Sequence, residues 1–170
     1  MEVTGYKMQH AIRELTQRSK IAASEFSDNL MQFESDDKVD LERVFDTYKE
    51  CEQKIARIQE LQTRYNLEQA SHIYGRKISL CEAVKLVGGA GRMEKMWRDA
   101  AKGKKNDRWS RSETSRSKED EYAKRAVSVE TCLQNAKKAS NFANALREAI
   151  QVMNVQPWAI SEEEAKLFES

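Results

Sequence analysis

Apolar residues return every three or four positions along most of this chain, the spacing of one face of an α-helix. Met8, Ile12, Leu15, Ala22, Phe26 and Phe33 form the first such stripe, with Ser19 and Leu30 in register, and predict a helix over residues 6–33. Ser35, Asp36 and Asp37 interrupt it and offer N-cap side chains for the next helix. The second stripe is the most regular: Leu41, Val44, Tyr48, Cys51, Ile55, Ile58, Leu61 and Tyr65 predict a helix over 38–68. Such a helix is roughly 40 Å long. Neighbouring helices or a second copy must cover its seam.

His72 to Ile78 breaks the rhythm. Two short apolar runs flank Gly75-Arg76-Lys77, which reads as a tight turn or a small hairpin. A third helix follows over 80–101, opened by the capping-box residues Ser79 and Glu82 and carrying an inner stripe of Leu80, Ala83, Val87, Ala90, Trp97 and Ala100. Gly88, Gly89 and Gly91 lie inside it. Each costs about 1 kcal/mol relative to alanine, which points to close helix approach, a kink, or backbone left open to a ligand. Residues 102–118 have no period and form a basic loop. A fourth helix, over 119–154, carries Tyr122, Ala126, Val129, Leu133, Ala136, Ser140, Ala143, Leu146, Ile150 and Met153. Pro157 ends it, and a second capping box, Ser161 with Glu164, opens a short helix over 162–168.

The pattern therefore predicts a single all-α domain over 1–170. Its architecture is expected to be an elongated four-helix bundle, or coiled-coil-like hairpins, with a short C-terminal helix. Composition agrees: charged residues make up 34% of the chain and there is a single proline, which suits long helices with wide solvated faces. The regular second seam and the alanine-rich fourth one lead us to expect a homo-oligomer.

Chemistry is sparse. Cys51, Cys81 and Cys132 are far apart and form no metal-ligand spacing, so they read as buried thiols of a reducing compartment. His10 and His72 lie in different elements, without the carboxylate or nucleophile partners that catalysis needs. No catalytic residue, metal or cofactor is expected. The absence of a long apolar run predicts a cytoplasmic protein with no membrane partner. Twenty-nine basic residues nearly cancel 28 acidic ones, so nucleic acid is not the expected partner of the chain as a whole, and any electrostatic role must come from local clustering.

The basic loop supplies such a cluster. Arg108, Arg111 and Arg116 offer forked donors for phosphate oxygens, Ser112 a hydroxyl, and Trp109 a flat face for a base. Arg76 and Lys77 could add to it if the two turns converge. The leading expectation is an oligomeric binding protein that captures or sequesters a small phosphorylated ligand, plausibly a nucleotide. The alternative is a structural or scaffolding protein that acts through helix packing alone.

Three features in this order carry a family resemblance: Gly75-Arg76 ahead of the capped helix start at Ser79, the stretch Trp109-Ser110-Arg111-Ser112-Glu113, and Asn154 with Trp158 after the last long helix. Over about residues 65–160 the chain resembles the septicolysin-like family of small bacterial and phage-associated helical proteins. The resemblance implies a helical fold with an arginine-containing loop and carries no established activity.

Overall fold

The computed structural model describes residues 1–31, 38–102 and 126–169, and these are mostly helical. In chain order the elements are β1 (Glu2–Val3), α1 (Gly5–Asp28), α2 (Leu41–Glu68), β2 (Ala70–Ile73), β3 (Arg76–Ser79), α3 (Leu80–Lys102), α4 (Val129–Val155), β4 (Trp158–Ala159) and α5 (Glu162–Ala165). A 3-10 turn, Lys166–Phe168, follows α5. Two compact units result: Met1–Cys81 together with Ala149–Ser170, and Glu82–Glu148.

In the first unit α1 and α2 pack as a helical hairpin. Thr4 caps α1, its hydroxyl accepting from the Lys7 amide at 3.2 Å. The helix ends at Asp28, short of the expected residue 33: the Asn29 amide donates back to the Glu25 carbonyl, Leu30 is exposed, and Phe33 lies outside the described residues. The cap of α2 is Asp40, whose carboxylate accepts from the Arg43 amide at 3.1 Å; the Ser35–Asp37 group expected to supply it lies outside the described residues. Nearest the helix start a carboxylate reaches the free amides and the positive dipole end together.

The α2 seam lies where its spacing puts it except at Tyr48, which is expected in it and is exposed. Val44, Cys51, Ile55, Ile58, Leu61 and Tyr65 are buried, against Met8, Ser19 and Ala22 buried on α1. Ser19, the polar member of the α1 stripe, is satisfied by donating to Glu52 Oε1 at 2.6 Å. The tiny hairpin is real: β2 and β3 pair antiparallel with Ile73 opposite Arg76, and the two-residue turn has positive φ at both Tyr74 and Gly75. That is the signature of a type I′ turn, whose twist matches the strands it joins. Ser79 is the last residue of β3, and α3 begins directly at Leu80.

Two features of the first unit have no sequence signal. Strand β1 pairs antiparallel with β4, Val3 opposite Trp158, so the segment before α1 is tied to the segment after α4. Gly5, the first residue of α1, sits against Asn154 and Tyr65. A Cβ there would lie 3.0 Å from Tyr65 Cε1 and closer still to Asn154 Oδ1. The missing side chain is what lets the start of α1 meet the end of α4.

The second unit contains α3 from Glu82 and α4 as far as Glu148. Ala83 and Ala90 are buried on α3, but Trp97 is only half-buried and Ala100 is exposed. Among the described residues the glycine cluster mediates no close approach. Cβ atoms added at Gly89 or Gly91 would meet nothing within 4 Å, and one at Gly88 would meet only the Arg92 guanidinium. On α4 the buried positions are Cys132, Ala136, Ala143, Leu146, Met153 and the polar Asn154, while Val129 and Leu133 are exposed. Its inner face at the N-terminal end is therefore set by Cys132, one position away from the expected stripe. Residues 126–128 are not helical, so α4 starts at Val129; Tyr122 lies outside the described residues.

Candidate functional site

The polar side chains that converge in the first unit converge on Tyr65. It is fully buried, and its hydroxyl donates to the carbonyl oxygens of Met153 and Gln156 (3.0 Å to the latter) while accepting from the Gly5 amide. Burial pushes its pKa up, with the Gly5 amide opposing. Trp158 stands edge-on to the Tyr65 ring at 6.0 Å, and its indole N–H donates to Glu68 Oε2 at 2.7 Å. The Arg64 guanidinium lies 5.6 Å from the Trp158 ring centre and pairs with Glu164.

Glu164 in turn accepts from the Ser161 amide at 2.9 Å, while the Ser161 hydroxyl caps the Glu164 amide, so the capping box of α5 forms as its sequence predicts. The Ser161 amide and the Arg64 guanidinium together lower the Glu164 pKa to about 2. Arg64 is raised by the same hydrogen bond. This chain of contacts clamps the end of α4, strand β4 and α5 onto α2. These internal pairings suit a clasp.

A cavity of about 320 Å³ opens beside the clasp, lined by Arg57, Glu60, Arg64 and Glu163 among others. Its charges are of both signs, and Arg64 is already paired. Among the described residues no group of three His, Cys, Asp or Glu side chains could hold a metal ion. No helix among them is long and apolar enough to cross a membrane. The three cysteines are free thiols, Cys51 and Cys132 buried and Cys81 half-buried.

A largely apolar cleft of about 260 Å³ lies between α1 and α2, lined by Ala22, Ala23, Phe26, Ser27, Phe45 and Tyr48. The Phe26 and Phe45 rings meet at 6.3 Å, tilted by 52°, yet Phe45 remains 52% exposed and Tyr48 36%. On α1 Ile21 is also exposed, as are Leu30 and Met31 just beyond its end, Met31 at 89%. A cluster of exposed aromatic rings such as Phe45 and Tyr48 marks an interaction surface more often than an isolated exposed leucine does. Phe45 was outside the stripe read from the sequence. Phe45 lies four residues after Leu41 and three before Tyr48, so it joins Tyr48 on the exposed edge of the expected stripe.

Of the residues expected to bind a phosphorylated ligand, Arg76 and Lys77 are the first two residues of β3 and both are exposed. Arg108, Trp109, Arg111, Ser112 and Arg116 lie outside the described residues. No protein-family model, curated protein or solved structure matches this chain, and the septicolysin-like resemblance rests on its three motifs.

Proposed function

We propose that this protein is a helical assembly module whose α1–α2 hairpin docks onto the same hairpin of a second copy, completing a four-helix bundle between subunits. The observation that supports this reading is the Phe26–Phe45–Tyr48 cleft, with half-exposed aromatic rings lying between two packed helices. A pair of helices buries only the stripe where the two touch. The rows flanking that stripe stay wet until another layer covers them. An isologous contact brings each row against its own copy, and the polar positions around it tolerate this. Glu42, Asp46 and Lys49 on α2 include both signs, so a two-fold arrangement does not force like charge against like.

The test is the particle mass in solution, measured by light scattering after size exclusion. A dimer or higher even oligomer is expected at micromolar concentration. A monomer of 19.6 kDa for the unaltered chain removes the proposal.

A second reading, capture of a small phosphorylated ligand such as a nucleotide, is favoured by the exposed cations Arg76 and Lys77. It requires the loop residues Arg108, Trp109, Arg111, Ser112 and Arg116 to complete the site. A thermal-shift screen of nucleotides tests it, because a ligand at 100 times its Kd stabilises by about 2.7 kcal/mol. No shift across the panel rules this reading out and leaves assembly alone.

A further inference from the structure

The exposed edge of α2 carries charge in an order that restricts how a second copy can meet it. Leu41, Phe45, Tyr48 and Glu52 are spaced by four, three and four residues, the stagger of a seam between helices that run side by side. On one flank of that row Val44 and Cys51 are buried, the side on which α2 packs against α1. On the other flank stand Glu42 and Lys49, both exposed. They are seven residues apart, roughly 10 Å along the axis, too far to pair with each other. Neither has an ion pair or a side-chain hydrogen bond among the described residues.

A two-fold axis across α2 turns this spacing into a pairing rule. In an antiparallel contact a residue before the axis meets one equally far beyond it. Phe45 set against the partner's Tyr48 puts the axis midway between those two positions. The point midway between Glu42 and Lys49 falls one residue away. The contact that joins the rings therefore also brings Glu42 beside the partner's Lys49, and symmetry repeats the pair. A parallel contact has no such order, because each residue stands level with its own copy, glutamate with glutamate and lysine with lysine.

We infer that the second copy lies with its α2 antiparallel to this one, Phe45 against the partner's Tyr48, and that Glu42 and Lys49, paired twice between subunits, select this orientation and register. The inference rests on the assembly reading and adds a specificity device to it. Aromatic burial drives association without choosing a direction, whereas charges flanking a helical seam reject arrangements that oppose like signs. Exposed pairs are individually weak, so their effect lies in the difference between attraction and repulsion.

Charge reversal, read by sedimentation of the full chain over a dilution series, is the test. Glu42→Lys sets lysine against lysine twice, and Lys49→Glu sets glutamate against glutamate. Each alone should weaken self-association about tenfold or more. An equal mixture of the two variants should associate as tightly as the unaltered protein, because every flank contact in the mixed pair again joins lysine to glutamate. The double variant Glu42→Lys/Lys49→Glu should recover likewise. Both positions are exposed, so helical circular dichroism should not change, and chains that had lost their fold could not rescue one another in the mixture. Single variants that associate like the unaltered protein overturn the inference, as does a mixture no tighter than its components. If Phe45→Glu separates the subunits while the charge reversals do nothing, assembly stands and the register alone falls. An unaltered protein that is already a monomer removes the assembly reading, and this inference with it.

Discussion

Replacing Gly5 by alanine sets two physical effects against each other, and the structure decides the sign. Glycine within a helix costs roughly 0.5–1 kcal/mol relative to alanine, so helix propensity alone predicts that Gly5→Ala stabilises. The new Cβ, however, would sit 3.0 Å from Tyr65 Cε1 and nearer still to Asn154 Oδ1. Neither neighbour can give easily. Tyr65 is fully buried and held by hydrogen bonds to Met153 and Gln156, and buried Asn154 donates to the Ile150 carbonyl at 2.9 Å. Overpacking a core in this way costs typically 1–3 kcal/mol.

The net expectation for Gly5→Ala is a loss of about 1–2 kcal/mol, or a melting temperature lower by roughly 2–8 °C for a chain of this size. Gly89→Ala is the matched control. Its Cβ meets nothing within 4 Å, so the propensity term acts alone and should raise stability by up to about 1 kcal/mol. Differential scanning calorimetry of the two variants should show shifts of opposite sign. Two upward shifts would refute the close approach of α1 to the end of α4.

Three further outcomes follow from the same contacts. Tyr65→Phe removes the hydroxyl that donates to the Gln156 carbonyl and accepts from the Gly5 amide, and should cost about 1–3 kcal/mol in urea unfolding, with no change in particle mass. Ile55→Asp puts a charge at a position only 8% exposed and should cost several kcal/mol, whereas Arg57→Asp, on the exposed side, should stay within about 0.5 kcal/mol; equal midpoints would show the seam to be misplaced. Glu164 has its pKa lowered from 4.5 to about 2 in the folded chain, so its contribution is present above about pH 4.5 and lost as pH falls toward 2. Denaturant midpoints across that window should fall less steeply in Glu164→Gln than in the unaltered protein.

The helices were legible because their period is long and repeated: nothing but a helix puts Val44, Cys51, Ile55, Ile58, Leu61 and Tyr65 on one side. That residues 72–78 form a tight turn or small hairpin was legible from Gly75 between two apolar runs; the type I′ geometry was not, because Tyr74 is an unusual residue at positive φ. Strands β1 and β4 were not, because two residues hold no period and their pairing joins positions more than 150 apart. The α4 face was misread at its start because Val129, Cys132 and Leu133 are all apolar, and only tertiary packing selects Cys132. The glycines of α3 looked like a close-approach surface, since composition shows that a side chain is missing but not whether anything fills the space. Phe45 shows the converse: its hydrophobicity was plain, but its exposure depends on which rows the α1–α2 contact leaves uncovered.

The assembly claim is tested most directly by light scattering on the unaltered chain beside a Phe45→Glu variant. Phe45 is half exposed in one chain, so the substitution should spare the fold, while in a two-fold contact it places glutamate against glutamate in the cleft. The account predicts an oligomer for the unaltered protein and a folded particle of 19.6 kDa for the variant, with unchanged helical circular dichroism. An unaltered protein that is already a monomer, or an oligomer indifferent to Phe45→Glu, would contradict it.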